Sequence, residues 1–167
     1  MTPQPSIEHA LLNTDGGSRG NPGISGIGFT IRVDDGRGLA TVCRGGAYIG
    51  RATNNVAEYR ALIWGLRNAL ALKVRRIDVH ADSELLVKQL RGEYRVKNAG
   101  IKPLFGEARQ LLAGFESHRI THVYREQNSA ADTLANEAMD LQSMVGDYAV
   151  GYEAAELFDP ADGKERQ

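Results

Sequence analysis

Four carboxylates stand at the edges of predicted elements: Asp15 ahead of Gly16-Gly17, Glu58 early in a helical stretch, Asp82 directly after an alternating run, and Asp132 in the first turn of a later helix. Three of them have ordinary structural explanations. Asp15 could bond turn backbone, Asp82 could cap the helix that follows it, and Asp132, three residues after Ser129, has capping-box spacing. Glu58 fits no such explanation, since Leu62, Gly65 and Ala69 continue its helical face and Gly65 implies close approach to a sheet. An ionised carboxylate turned toward a sheet needs a cation or several donors, because leaving it unpaired in a poorly hydrated site is costly. A metal is the simplest cation for four carboxylates. Asp and Glu without His or Cys supply only oxygen, which suits hard divalent ions such as Mg2+ or Mn2+ and argues against zinc.

The elements that must position these groups are read from the period of the apolar residues. Segments 8–15, 24–33 and 39–48 alternate and are separated by Gly, Asn, Pro and Asp clusters, which predicts an antiparallel meander. From 55 to 72 the residues Val56, Tyr59, Ile63, Leu66 and Leu70 follow a helical spacing, with Thr53 or Asn54 placed to cap it. Next come a strand at 76–81, helices at 83–91 and 102–114, a strand at 119–124 and a helix at 129–141. This order predicts an α/β fold with a five-stranded mixed sheet flanked by helices. Asp15 and Asp82 then end neighbouring strands, and if those strands are parallel both stand at carboxyl ends, where open α/β sheets place their sites.

Composition sets the outer limits. The chain has 167 residues, 42% hydrophobic and 25% charged, as expected of one domain able to bury a core without disulfides. Its single cysteine, Cys43, excludes an internal bridge and a multi-thiolate zinc cluster, and a reducing cytoplasm is the expected location. No export signal is expected from residues 1–12, and the most apolar stretch, 62–74, is broken by Arg67, Asn68 and Lys73 and falls short of a membrane span. A net charge of -1 conceals an acidic end: residues 141–167 carry six acidic and two basic side chains, leaving +3 on residues 1–140. The expected organisation is a domain at 1–141 and an acidic, flexible tail at 142–167, where apolar residues are scattered without period.

Thr14-Asp15-Gly16-Gly17-Ser18-Arg19-Gly20-Asn21-Pro22-Gly23, Thr53-Asn54-Asn55-Val56-Ala57-Glu58, Ala81-Asp82-Ser83 and Ala130-Ala131-Asp132-Thr133-Leu134-Ala135 together resemble type 1 ribonuclease H, over about residues 10–140. The resemblance implies the ribonuclease H fold with strand order 3-2-1-4-5 and endonucleolytic cleavage of the RNA strand of RNA/DNA hybrids with two Mg2+ ions. It also implies that Asp15 bridges both ions, that Glu58 and Asp82 hold the ion nearer the leaving group, and that Asp132 holds the ion that activates water. Hydrolysis of a phosphodiester by two ions roughly 4 Å apart is consistent with those assignments. Gly16, Ser18, Asn21, Asn54 and Asn55 suit recognition of 2'-hydroxyls across a wide minor groove. Arg51 and Thr53 match the family's phosphate-binding position for the DNA strand, a contact that sets register without reading sequence.

Three departures point to the archaeal-like branch of the family, some members of which cleave double-stranded RNA. The basic protrusion after Asp82 is reduced to Lys88, Arg91, Arg95, Lys97 and Lys102 with Tyr94; Glu84 stands where the family often has Gln; and the loop before Asp132 has Arg125 where many relatives have histidine. His9, His80, His118 and His122 are expected to be ordinary strand residues. The chain is expected to act as a monomer away from membranes. Two other readings stay open: a DNA-cutting enzyme of the same fold, for which the Asn54-Asn55 pair would have no 2'-hydroxyl to meet, and a silent hybrid-binding module, for which loss of a carboxylate would be the sign.

Overall fold

The computed structural model describes residues 5–153. Strands β1 (Ile7–Arg19), β2 (Gly23–Asp34) and β3 (Leu39–Ala52) form the antiparallel meander, followed by helix α1 (Asn54–Ala71), strand β4 (Val74–Ala81), helices α2 (Glu84–Leu90) and α3 (Lys102–Leu112), strand β5 (Ser117–His122), a 3-10 turn (Arg125–Asn128), helix α4 (Ser129–Leu141) and strand β6 (Met144–Asp147). The sheet order is β5-β4-β1-β2-β3-β6, with β1–β4 and β4–β5 parallel. The expected five strands stand in the expected order, and a sixth is added.

Helix α1 starts where Thr53 accepts a hydrogen bond from the Val56 N–H at 3.2 Å, satisfying a donor the helix itself cannot. Its next turns bury Trp64 and Leu66 against the sheet, with Trp64 edge-on to Phe29 at 4.8 Å between centroids. Large apolar side chains buried this fully each contribute about 1.5–3 kcal/mol. Gly65 makes the predicted close approach, since a Cβ there would lie 2.8 Å from Leu12.

The expectation of a flexible tail from residue 142 fails as far as the described residues go. Met144–Asp147 pairs antiparallel with the outer edge of β3, from Arg44 to Ala47. Beyond it Asn68, fully buried on α1, accepts hydrogen bonds from the N–H groups of Ala149 and Val150 and donates to the Val150 carbonyl, which also accepts from the Trp64 indole. Tyr148 and Tyr152 pack on Trp64. What orders this segment is the unpaired edge of β3 and the side chain of Asn68, tertiary partners that leave no period in the segment itself. Residues 154–167 of the expected tail lie outside the described residues.

Candidate active site

Asp15 does not end its strand. It lies within β1 opposite Gly28 of β2, while the parallel pairing of β1 with β4 stops one residue earlier, at Thr14–Ala81. Asp82 follows directly after that last pair. The two carboxylates therefore stand side by side where β4 ends and β1 runs on. Asp82 is not the cap of α2 either: Ser83 is, accepting from the Leu86 N–H at 3.2 Å.

Two glycines bring in the other two acids. A Cβ on Gly16 would lie 2.3 Å from the carbonyl carbon and oxygen of Ala57, so only glycine lets the first turns of α1 come this close to β1. Glu58 then accepts the Gly16 N–H at 2.8 Å. On β2, a Cβ on Gly28 would lie 2.2 Å from the Ala131 carbonyl oxygen, so α4 rests directly on the residue opposite Asp15 and carries Asp132 to it. Asp132 is not a capping-box residue, since Asn128 occupies the N-cap and makes no side-chain cap bond.

Ligand oxygens of Asp15, Glu58 and Asp82 all lie within 4.8 Å of one another. Asp132 stands beside Asp15 and helps to raise the pKa of its carboxyl group. Burial, followed by the charges of Glu58 and Asp82, pushes the Asp15 carboxyl up to about 10. Burial and then the charge of Asp82 push Glu58 up to about 8, against the lowering effect of the Gly16 N–H. Asp82 is raised by burial, an effect opposed by the Asn128 amide and by the charge of Arg125. Protons or cations must balance these acids. An all-oxygen donor set of this size fits a hard divalent ion.

Around the acids, Gly16, Ser18, Asn54, Asp82, Arg125 and Asp132 line one cavity. Asn54 ties this rim together, accepting from the Ser18 N–H at 2.8 Å and donating its own N–H to Asn21 at 3.1 Å. Asn21, Thr53, Asn54 and Asn55 share an adjoining depression with Asn98. Arg51 lies on β3 beyond both, and Glu84 is paired with Lys88 at 3.1 Å outside the lining. Sequence reasoning missed His122, Tyr124 and Asn136, all in the cavity wall. Asn136 donates to the Asp132 carboxylate at 3.3 Å and was legible, because it lies four residues on along the same helical face. His122 and Tyr124 carry no such signal.

A mixed sheet of this order with acids at the end of its central parallel pair defines the ribonuclease H fold class. Residues 13–138 match the family described as reverse transcriptase-like. Ribonuclease HI of Halobacterium salinarum is 45% identical over 126 residues, covering 75% of this chain and 62% of that protein. The chain belongs to the type 1 ribonuclease H family. The N-terminal RNase H domain of rv2228c from Mycobacterium tuberculosis, solved as a fusion, superposes with a TM-score of 0.76 at 40% identity, covering 81% of this chain and 96% of that one. LC11-RNase H1, solved in complex with RNA/DNA hybrid, gives 0.72 at 39% identity, covering 79% and 97%. The chain spans 62% of the halobacterial protein's length and 35% of the full-length mycobacterial bifunctional protein's.

Proposed function

We propose that the chain hydrolyses the RNA strand of RNA/DNA hybrids, leaving 5'-phosphate and 3'-hydroxyl ends. The observation that carries this reading is the convergence of Asp15, Glu58 and Asp82 within 4.8 Å, beside a cavity lined by hydrogen-bonding groups. These three acids and Asp132 would hold two Mg2+ ions, with Mn2+ an acceptable replacement. When bound, the ions supply Lewis-acid stabilisation of the developing phosphate charge and activate water for in-line attack.

The chain's own residues do the rest. Gly16 holds Glu58 by a hydrogen bond to its carboxylate, and the Asn128 amide favours the charged form of Asp82. Ser18, Asn54 and Asn55 offer donors and acceptors to 2'-hydroxyls, the groups that separate the RNA strand from DNA. Thr53 and Arg51 serve the DNA strand's phosphates, Thr53 while also capping α1. Arg125 faces the charge at the cut, since a guanidinium remains a donor at any working pH and does not shuttle protons. The link from α2 to α3 carries Arg91, Arg95 and Lys97 in place of a larger basic protrusion, and the resemblance to the archaeal-like branch carries the reading that the site also accepts double-stranded RNA. A buried free Cys43 suits a reducing compartment, and we place the activity in the cytoplasm, with the chain acting as a monomer.

The test is cleavage of end-labelled RNA/DNA, RNA/RNA and DNA/DNA duplexes with and without Mg2+ or Mn2+. Internal cuts in the RNA of the hybrid, dependent on metal, are expected. Cyclic 2',3'-phosphate ends or equal cutting of all-DNA duplex would refute the reading.

A further inference from the structure

Behind the carboxylates three polar side chains form a line of hydrogen bonds that the proposed reaction does not by itself require. Arg32 of β2 donates to Oδ1 of Asn13 at 3.0 Å, and Nδ2 of Asn13 donates to Oδ1 of Asn128 at 3.0 Å. Nδ2 of Asn128 donates to the Thr14 carbonyl at 2.8 Å; Thr14 is paired with Ala81, the residue before Asp82, and the Asn128 amide favours the charged form of that acid. Asn13 and Asn128 are 3% and 1% exposed, so water does not substitute for a lost partner.

An asparagine amide has nearly the same shape either way round, and only its partners decide which end is oxygen. A guanidinium has donors and no acceptor. Arg32 therefore requires the oxygen of Asn13, which turns the Asn13 NH2 toward Asn128, and that in turn leaves the Asn128 NH2 for the Thr14 carbonyl. Backbone carbonyls favour the same sense, Gln127 accepting from Asn13 at 3.4 Å and Thr14 from Asn128. With either amide reversed, oxygen would face oxygen at a buried contact, and with both reversed a carbonyl oxygen would meet the Thr14 carbonyl. The line thus runs from a cation on β2 to the Thr14–Ala81 pair beside one acid of the cluster.

We propose that Arg32 is a positioning residue for Asp82, acting through Asn13 and Asn128 by fixing the orientation of both amides. This rests on the metal-site reading above. The expectation follows from the general behaviour of partners that hold metal ligands in place, whose loss weakens metal binding without touching substrate contacts.

Mn2+ binding to the full chain by calorimetry, steady-state cleavage of hybrid, and melting in EDTA are to be compared for wild type, Arg32→Met, Arg32→Lys, Asn128→Ser and the double variant Arg32→Met/Asn128→Ser. Arg32→Met should bind Mn2+ about tenfold more weakly, the low end of what losing a partner behind a metal ligand costs, with lower kcat and unchanged KM for hybrid. Arg32→Lys, still a pure donor, should stay near wild type. The double variant should match Asn128→Ser alone, as coupled residues do. Arg32→Met with wild-type Mn2+ affinity, Arg32→Lys as impaired as Arg32→Met, or additive effects in the double variant would overturn the proposal. If Asn128→Ser does not fold, the contrast between Arg32→Met and Arg32→Lys decides. A wild type that binds Mn2+ but leaves hybrid intact would refute the hydrolase reading alone, and a wild type that binds no Mn2+ would refute the metal site and the relay together.

Discussion

Glu58 accepts the backbone N–H of Gly16 at 2.8 Å, which ties the acid on α1 to the strand that carries Asp15. The bond only partly offsets what burial and like charge do. Glu58 is raised from 4.5 to about 8 and Asp15 from 3.8 to about 10. Both groups hold protons more tightly in the folded chain than in the unfolded one. Their contribution is therefore fully present below about pH 4 and is lost as pH rises toward about 8 for Glu58 and about 10 for Asp15. Melting in EDTA should show stability falling between pH 5 and pH 8, with a smaller fall in Glu58→Gln. Metal must displace those protons, so Mg2+ should bind more tightly at the higher pH and release protons, measurable by calorimetry in buffers of different ionisation enthalpy. An EDTA melting temperature that rises from pH 5 to pH 8 would contradict the burial of this pair.

Asp82→Asn should abolish turnover and leave hybrid binding largely intact. The fold should not weaken, because Ser83 and not Asp82 caps α2, and removing one of several like charges relieves repulsion when no metal is bound. Gel-shift binding and melting temperature in EDTA check both halves. A melting temperature well below wild type would mean that Asp82 supports the fold in a way its contacts do not explain.

Gly28→Ala tests how Asp132 reaches the site. The new methyl would meet the Ala131 carbonyl at 2.2 Å, so α4 must lift from β2. Overpacking of this kind costs about 1–3 kcal/mol, and Asp132 moves with the helix. The expected outcome is a folded protein with a lowered melting temperature and a larger loss in kcat than stability accounts for. Gly106→Ala, on α3 away from the cavity, is the control, as nothing lies within 4 Å of a Cβ there. Equal activity of the two variants would mean that α4 does not depend on this contact for its position.

How the site was legible follows from these particular residues. Gly65 could be read as a close approach because it lies on the same helical face as Glu58, a relation carried by spacing alone. Gly28 could not, because its meaning depends on which strand it pairs with and which helix crosses it. The same holds for Asn128, whose partners Thr14 and Asn13 are more than a hundred residues away in sequence. Local period predicted the order of elements and placed Asp82 directly after β4. It missed the extension of β1 to Arg19, since the Gly-rich run that reads as a turn is held extended by pairing with β2.

Removing residues 144–167 should destabilise the protein, contrary to what the aperiodic sequence after residue 142 suggests. Asn68 and the Trp64 indole would lose their backbone partners at Ala149 and Val150, and unpaired buried polar groups cost about 1–3 kcal/mol each. A fall in melting temperature on the order of 10 °C is expected. The cavity lies away from this segment, so activity of the fraction still folded should persist. Unchanged melting would show that the docked segment contributes little beyond covering the β3 edge.

Arg125 opens the turn that leads into α4, lines the cavity, and lowers the pKa of Asp82 through its charge. That places a cation beside the acids without binding it to any of them, in position to meet a phosphate. Because a guanidinium neither gives up nor takes a proton during turnover, its effect must be electrostatic. Arg125→Ala should lower kcat on hybrid about tenfold, equivalent to ~1.4 kcal/mol, and the loss should shrink as salt is raised. Arg125→Lys should recover part of the rate as a point charge without the planar fork. The pH dependence of the rate should keep the same number of ionisations in both variants, since a guanidinium exchanges no proton during turnover. An ionisation lost from the pH profile in Arg125→Ala would contradict a purely electrostatic role, and full activity on hybrid and on double-stranded RNA would leave Arg125 a solvated cation on the rim.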